Sequence, residues 1–353
     1  MEKTGTQRGP KLARIAALGL AFWQVAAAAQ SAPDAPPSDY RPGQGWTVPG
    51  TNVGIGGYAT LGYQNLTNET ESVGLEEVSL LLHWEGQGRF RFFSEISVED
   101  PIVYEPGSGI LSGQSYIALE RVYGEYLFSD ALKFRVGKFL TPIGRWNVIH
   151  ADPLVWTTSR PLITEHAFPT NATGAMAYGS VTLAGRTYDY SVYGALGSDW
   201  RPNPRLDPFS EAYGMHVATS LSARSELGVS LVSFEQRSSV GERRKLVGID
   251  YVWHRGRTEL SAEAAYRFSD EGGEFHEKGL FVQGVAPLSR SLYAVGRYEY
   301  YDAAGMGPHA SVYLLGLAYK PTPWLVMKLE VRDGQHVSTL APPGFLASIA
   351  VLY

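Results

Sequence analysis

The sequence predicts an all-β fold, a transmembrane antiparallel β-barrel of about sixteen strands. Three observations support this prediction. From Val53 onward, apolar and polar residues alternate in segments of about ten, which is the length that a tilted strand needs to cross a bilayer. The breaks between these segments alternate between short turns and long connections. Glycine (39 residues) and tyrosine (21 residues) are frequent, and they suit turns and strands better than helices.

The remaining composition excludes several classes of protein. The 353 residues include no cysteine, which excludes a disulfide framework, thiol catalysis and cysteine-ligated zinc, iron–sulfur or c-type haem sites. After the N-terminal region no run of 18 consecutive apolar residues occurs, which excludes a protein that crosses the membrane with helices. The net charge of −5 argues against a general nucleic-acid binder.

The N-terminus has the layout of a secretory signal peptide over residues 1–29. Basic residues near the start precede an apolar core, Ile15 to Phe22, and the alanine run from Ala26 to Ala29 marks the predicted cleavage site. An N-terminal membrane anchor is the alternative, which the short apolar stretch disfavours. We interpret the proline-rich residues 30–50 as an extended periplasmic lead-in and residues 51–353 as one barrel domain.

Sixteen segments carry the alternating pattern. In one of them, Leu260 and Ala264 share one face while Glu259 and Glu263 share the other. The predicted strands are 53–64, 74–85, 89–99, 115–128, 132–139, 173–183, 187–197, 211–222, 226–236, 243–254, 257–268, 277–287, 291–301, 310–320, 324–332 and 344–353. With an even number of strands, the first strand begins and the last strand ends on the side of the short turns.

Aromatic residues cluster at the predicted strand ends. Two belts of them are expected at the membrane–water interfaces, although strands are also rich in aromatic residues in general. Trp84, Phe128, Tyr188, Trp253, Tyr319, Trp324 and Tyr353 lie beside short turns, and Tyr116, Phe139, Tyr213, Phe234, Phe268 and Tyr300 lie beside long loops.

The last predicted strand is a period-two apolar row of Phe345, Ala347, Ile349, Val351 and Tyr353. It resembles the C-terminal strand signature of bacterial outer-membrane proteins, which the barrel-assembly machinery reads in those proteins. In physical terms the last strand has to pair with the first, because a free sheet edge is not tolerated in lipid. The resemblance implies that the outer-membrane lipid and the assembly machinery are partners.

Most of the chain after residue 50 resembles a sixteen-stranded bacterial porin. The run Gly137-Lys138-Phe139-Leu140-Thr141-Pro142-Ile143-Gly144 is similar to a strand-end motif of porins near the phosphate-selective (porin O/P) family. The resemblance implies a passive channel for small hydrophilic solutes or ions in the outer membrane of a Gram-negative cell. It also implies a homotrimer, no cofactor, and a long third loop that folds into the barrel and narrows it.

The longest connection, residues 140–172, is the predicted constriction. It is rich in apolar and aromatic residues, which packing against the inner wall explains. Its ionisable residues are Arg145, His150, Asp152, Arg160, Glu165 and His166. Fixed charges in a narrow passage of low dielectric set the ion preference, and this set favours a mixed or mildly anion-preferring passage. The segment lacks the array of arginines and lysines on which phosphate selectivity in the family depends.

Charged residues on the polar strand faces are the predicted lining of the lumen, because Arg or Lys facing lipid at mid-depth costs about 2–4 kcal/mol. They are Arg89, Arg91, Glu95, Arg121, Glu125, Lys133, Arg135, Arg257, Glu259, Glu263, Arg267, Arg297, Glu299, Lys328, Glu330 and Arg332. Glu120 departs from the pattern because it shares a face with Ala118 and Val122, and it marks either a bulge or a subunit contact.

Two other functions stay open at this point. A barrel-embedded hydrolase would assemble serine, histidine and acid from distant strands, which sequence spacing does not reveal, and the chain carries no metalloprotease, nucleophile-elbow or P-loop motif. A structural barrel would instead sheathe a partner such as an electron-carrying cytochrome, and the partner would supply the haem. No catalytic residue and no metal ligand is predicted.

Overall fold

A computed structural model describes residues 40–353 except 112, 114, 150, 198, 205, 270–275, 304–308 and 338–339. The predicted signal peptide, the first part of the predicted lead-in and His150 lie outside the described residues. In the part of the chain that is described, no helix combines the length and the apolar character needed to span a membrane.

Sixteen antiparallel strands form a closed barrel, as predicted. In chain order they are β1 (Val53–Leu66), β2 (Ser72–Glu85), β3 (Phe90–Glu105), β4 (Tyr116–Leu127), β5 (Lys133–Leu140), β6 (Asn171–Leu183), β7 (Arg186–Leu196), β8 (Phe209–Ser222), β9 (Ser225–Gln236), β10 (Arg244–Arg255), β11 (Thr258–Ser269), β12 (His276–Pro287), β13 (Leu292–Ala303), β14 (Ala310–Thr322), β15 (Leu325–Gln335) and β16 (Gly344–Leu352). Each strand pairs with the next, and β16 pairs with β1, so the barrel has no free edge.

β3 extends several residues beyond its predicted end. Its last part pairs with a short strand, Gly109–Leu111, in the connection to β4. Asp100 has a positive φ of 45° and interrupts the alternation where the prediction ended the strand. The extension of β3 is therefore paired on both sides, with β2 through Ile102–Tyr104 and with the hairpin strand through Val103–Glu105.

Residues 40–47 form a small hairpin. The strand Tyr40–Arg41 pairs with Gly45–Thr47, which in turn pairs with the start of β1. The rings of Tyr40 and Trp46 lie 4.6 Å apart. The structure thus differs from an extended lead-in over these residues, because the first residues of β1 offer backbone groups that β16 does not reach.

The two faces of the barrel differ in chemistry. One face exposes apolar side chains such as Val136 (64% exposed) and Leu315 (73% exposed), as expected toward lipid. The opposite, inner face carries charged side chains such as Glu95, Lys328 and Glu330, which are almost fully buried. The period-two alternation therefore separates the residues that meet lipid from the charges.

Glu120 is the extra residue of a β-bulge. In the pairing of β3 with β4, Glu95 lies opposite Arg121 and Ile96 lies opposite Leu119, so no residue of β3 faces Glu120. The bulge shifts the alternation by one residue and places Arg121 beside Glu95. Of the two interpretations of Glu120, the structure supports the bulge.

Some of the residues predicted to lie in the aromatic belts are on the inner face, and Phe139 and Phe234 are the most deeply buried of them. Phe139 is fully buried with its ring 6.2 Å from that of Tyr193, and Phe234 is fully buried with its ring 5.2 Å from that of Phe209. Phe139 follows Arg135 by four residues and therefore shares the face of the charged side chains. Proximity to a loop sets the depth of an aromatic residue, but strand alternation decides which face it occupies.

The connection after β7 covers part of the outer face. Lys138 follows the exposed Val136 by two positions, yet it is only 1% exposed. Its Nζ lies 2.8 Å from Asp199 Oδ2 and donates to the carbonyl of Trp200 at 2.9 Å, while the hydroxyl of Thr173 on β6 donates to Asp199 Oδ1. The outer face therefore holds a buried ion pair that the protein itself shelters.

Replacement of Asp199 by asparagine is expected to lower the free energy of unfolding by about 3–5 kcal/mol, because the buried Lys138 ammonium loses its counter-charge. Urea titration of the barrel in detergent, followed by tryptophan fluorescence, measures the change. Asp302→Asn is the matched control, because its partner Lys278 is 46% exposed and a surface pair contributes about 0–1 kcal/mol. Equal losses in the two variants would contradict the burial of the Lys138 pair.

Candidate functional site

Arg121 and Arg135 are the centre of one charged surface on the inner face, which we name the arginine wall. Arg121 Nε donates to Glu95, and Arg135 donates to Glu125 through Nε at 2.9 Å and Nη2 at 2.8 Å. The wall consists of Phe93, Glu95, Arg121, Tyr123, Glu125, Lys133, Arg135 and Tyr178, which lie on β3 to β6.

Aromatic rings hold both guanidinium groups of the arginine wall. Arg121 Cζ lies 4.7 Å from the ring centroid of Phe93. Arg135 Cζ lies 4.1 Å from the ring of Tyr123 and 5.1 Å from that of Tyr178. Cation–π contact with these rings restricts the positions of both guanidinium groups and therefore the directions in which they can donate.

In the arginine wall the carboxylates lie behind the cations. The side chains of Glu95 and Glu125 are 0% and 3% exposed, whereas those of Arg121 and Arg135 retain 16% and 21% exposure. Glu95 also accepts a hydrogen bond from the Tyr58 hydroxyl at 3.1 Å. The part of this wall that solvent reaches is therefore positive.

The connection between β5 and β6, residues 141–170, is closed at its base by Asn147. The Asn147 side-chain amide donates to the carbonyls of Thr141 at 2.8 Å and Thr170 at 3.0 Å. Arg160 Nη2 donates to Asn147 Oδ1 at 2.6 Å. Burial lowers the pKa of the Arg160 guanidinium to about 10, so this group stays protonated at neutral pH.

This connection has little regular structure of its own. It contains a 3-10 turn, Asn147–Ile149, and the short helix α1, Leu162–His166. Trp156 packs beside the ring of Tyr293 at 4.9 Å and against the buried cluster of Val285, Val295 and Ala318 on β12 to β14. Its apolar residues therefore bury surface against strands that lie far from it in sequence.

Glu263 on β11 binds the start of the connection through backbone groups. Its Oε1 accepts the N–H of Arg145 at 2.8 Å and the N–H of Trp146 at 2.6 Å. Gly144 precedes them with a positive φ of 64°, and a Cβ at this position would overlap the Glu263 carboxylate. A glycine is therefore required where the chain turns onto Glu263.

Two further carboxylates bind the middle of the connection in the same way. Glu330 Oε2 on β15 accepts the N–H of Thr158 at 2.9 Å and the N–H of Ser159 at 3.2 Å. Glu299 Oε2 on β13 accepts the N–H of Leu162 at 2.7 Å. These bonds satisfy buried backbone donors that no strand or helix pairs.

Two cations on the same strands bind the carbonyl groups. Lys328 Nζ donates to the carbonyls of Asp152 at 2.9 Å and Thr157 at 3.0 Å. Arg297 Nη1 donates to the carbonyl of Ser159 at 3.0 Å. We name Glu263, Arg297, Glu299, Lys328 and Glu330 the docking cluster, because each of these side chains binds the backbone of residues 141–170.

The predicted constriction residues have different surroundings. Arg145 Nη1 lies 3.1 Å from Glu226 Oε1 on β9, and Asp152 Oδ1 lies 3.8 Å from the Lys328 ammonium. Arg160 is held inside the connection by Asn147. Glu165 and His166, at the end of α1, are exposed. His150 lies outside the described residues.

The remaining predicted wall residues are spread around the inner face. Arg332 Nε donates to the carbonyl of Pro342 at 2.9 Å, and Glu259 lies 3.7 Å from the ring of His254. Arg91 lies opposite Glu125 in the register of β3 and β4. Phe345 and Ile349 of the assembly signature lie on the exposed face of β16, with Val351 and Tyr353 at its end.

The period-two pattern does not identify Glu77, which belongs to a network next to the arginine wall. Its Oε1 accepts hydrogen bonds from Tyr58 at 2.8 Å, Ser79 at 2.6 Å and Ser97 at 2.7 Å. A register shift beside Glu77 in both of its pairings breaks the alternation there, which hides the residue from a period-two reading.

The comparison with solved structures identifies the fold. The anion-selective porin of Comamonas acidovorans matches with a TM-score of 0.58 at 14% identity, over 86% of this chain and 98% of that one. The chain has the sixteen-stranded porin fold. OmpF of Salmonella typhi matches equally, with a TM-score of 0.58 at 10% identity over 86% and 98% of the two chains. The trimer form of Vibrio cholerae OmpT matches with a TM-score of 0.55 at 10% identity, over 85% and 98%.

Sequence comparison adds one relative. An uncharacterized protein of Aquifex aeolicus is 24% identical over 337 residues, which cover 80% of this chain and 76% of that protein. No protein-family model matches the chain. The match to phosphate-selective porins thus stays a prediction from the Gly137–Gly144 motif.

Gly144→Ala is expected to loosen residues 141–170, because its Cβ strains the backbone and displaces the Glu263 carboxylate. The strain costs about 1–3 kcal/mol. Limited proteolysis of the folded barrel, with cleavage sites read by mass spectrometry, measures the exposure of the connection. Gly241→Ala is the control, because Gly241 has a φ of 93° but open space around its Cβ position. Equal protection of residues 141–170 in both variants would contradict the contact with Glu263.

Proposed function

We propose that the protein is a passive diffusion channel of the outer membrane for small hydrophilic solutes or ions. The observation that carries this proposal is a closed sixteen-stranded barrel with an apolar outer face and a charged inner face. The porin fold supports the same conclusion, since one protein with this fold is named an anion-selective porin. Passage through such a channel needs no covalent chemistry and no cofactor.

We infer that the water path runs between the arginine wall and residues 141–170, which narrow it. The hydrogen bonds of this connection to the docking cluster are made on β11, β13 and β15, across the barrel from the strands that carry the arginine wall. This arrangement supports a passage with the arginine wall on one side and the connection on the other.

We infer an anion preference for this passage. The arginine wall presents Arg121 and Arg135 to solvent while their partner carboxylates are buried. Of the predicted constriction arginines, Arg145 is paired with Glu226 and Arg160 is bound within the connection, so both contribute less free positive charge. The arginine wall is therefore the proposed selectivity element, together with the exposed Glu165 and His166.

Several partners belong to the same proposal. A homotrimer is supported by the trimer form of the OmpT neighbour and by Ala175 and Ala177, two small side chains on the outer face of β6. The proposal that the barrel-assembly machinery inserts the protein is based on the C-terminal apolar row from Phe345 to Tyr353.

Single-channel current across a planar bilayer under a KCl gradient tests the channel. We expect stepwise ohmic conductance and a reversal potential of the sign for chloride preference. A heat-modifiable barrel that inserts without conducting would contradict the proposal and favour the sheath or hydrolase alternatives.

The double variant Arg121→Gln/Arg135→Gln is expected to lower the chloride-to-potassium permeability ratio by about fivefold or more. Removing one charge that lies about 4 Å from a permeating ion in water changes the free energy of that ion by about 1 kcal/mol. A change of this size corresponds to a factor of about five in the permeability ratio. The reversal potential gives the ratio. Arg224→Gln is the control, because Arg224 is an exposed residue in the turn between β8 and β9. An equal shift in the control would refute the role of the arginine wall.

A further inference from the structure

Two arginines lie on the outer face of the barrel at the end that carries the short turns. Arg186 begins β7 and lies two residues from Tyr188, and strand alternation therefore places both on one face. Arg255 ends β10 and lies two residues from Trp253, again on one face. In both strands this face is the outer one, because it also carries the exposed apolar residues Val192, Val247 and Ile249.

A third arginine lies at the same end, in the turn between β2 and β3. Arg89 Cζ is 5.6 Å from the ring centroid of Phe128, whose side chain is 54% exposed. Phe128, Tyr188 and Trp253 all lie beside short turns, where aromatic rings occupy the membrane–water interface. Two residues along a strand correspond to about 7 Å, so each of the three arginines lies close to the level of the lipid headgroups. We name Arg89, Arg186 and Arg255 the belt arginines.

The belt arginines differ in their surroundings from arginines at the opposite end of the barrel. All three are exposed, and no ion pair joins any of them to a carboxylate of the described residues. At the end with the long connections, Arg243 pairs with Glu211 and lies 2.9 Å from Glu235. Arg244 lies 3.0 Å from Glu242. The belt arginines are therefore uncompensated positive charges at the level of a bilayer surface.

We propose that the belt arginines bind the phosphate groups of anionic phospholipids in the leaflet on the side of the short turns. A guanidinium group donates two parallel hydrogen bonds to a phosphate, and the aromatic ring beside it contacts the lipid where the headgroup meets the acyl chains. A permeating solute does not reach the outer face, so the partner is a component of the bilayer. The inference rests on the proposed outer-membrane location and names a partner for the outer face of the barrel.

Three other exposed arginines at the same end provide a comparison. Arg224 and Arg290 lie within short turns, and neither contacts an aromatic ring of the described residues. Arg257 donates from Nε to the hydroxyl of Tyr293 at 3.1 Å. Tyr293 faces the interior, where its ring packs beside that of Trp156. These three arginines carry the same charge at the same end of the barrel, but none of them lies beside an aromatic ring of the outer face.

Native mass spectrometry of the folded protein tests the proposal, with phosphatidylglycerol and phosphatidylcholine of the same acyl chains as the probes. We expect the wild type to bind phosphatidylglycerol more tightly. The triple variant Arg89→Gln/Arg186→Gln/Arg255→Gln is expected to lower the ratio of the two association constants by about fivefold, the factor for one arginine at each bound headgroup. Arg224→Gln/Arg257→Gln/Arg290→Gln is the matched control, because it removes the same charge from the same end. We expect it to retain the wild-type ratio.

The salt dependence of the wild type is a second measurement, and it requires no variant to fold. Salt screens the attraction between exposed charges, since the Debye length falls from about 30 Å at 0.01 M to about 10 Å at 0.1 M. We expect the preference for phosphatidylglycerol to fall as the concentration of ammonium acetate is raised over this range. A preference that does not change with salt would contradict recognition of the headgroup charge.

Three results with the variants would overturn the proposal. The first is an unchanged ratio of association constants in the variant without belt arginines. The second is an equal loss in the matched control, which would mean that diffuse charge attracts the lipid. The third is loss of an oligomer without loss of the lipid preference, which would assign the belt arginines to a second copy of the chain. Failure of the channel function looks different, because a barrel that carries no current still gives a measurable ratio of lipid association constants.

Discussion

Pairing of β16 with β1 is the constraint on which the rest of the structure depends. Lipid offers no water to a strand edge, so a spanning sheet has to close before its backbone groups are satisfied. The closing ladder runs from Tyr58 opposite Leu352 to Leu66 opposite Gly344. Once the sheet is closed, every strand has one face toward lipid and one toward the interior. Alternation then directs the charged residues inward, because facing lipid is costly for them.

Charges that are directed inward need partners, and the barrel meets this need in two ways. In the arginine wall, charges on neighbouring strands compensate each other, and the cations keep part of their surface in contact with solvent. In the docking cluster, a chain segment from another part of the barrel supplies backbone donors and acceptors, and the charges are buried. Glutamate and arginine thus have two structural roles, since they pair with each other at one wall and bind the backbone of residues 141–170 at the other. The neighbours, rather than the residue types, determine which of these roles a charge has.

The sequence predicted the strands well because their pattern is local. Strand ends agree with the structure to within three residues at every end but one, where β3 continues and pairs with both β2 and the hairpin strand Gly109–Leu111. The period-two pattern fails at β-bulges. The bulge at Glu120 and the register shift beside Glu77 each displace the alternation, so a strict period of two misplaces Glu120 and overlooks Glu77. For Phe139 and Phe234, the prediction placed both residues beside long loops but did not state that they lie on the inner face.

The sequence by itself determined the number of strands, their order and the faces of most of their residues. The period-two pattern of a strand can be recognised within about ten residues, and closure of the barrel leaves that pattern unchanged. Only the tertiary structure decided which charges reach solvent and which hold residues 141–170. Arg145 and Glu263 are 118 residues apart, and Thr158 and Ser348 are 190 apart. Such contacts depend on the curvature of the closed barrel and on the path of an irregular connection, and neither leaves a repeating pattern along the chain.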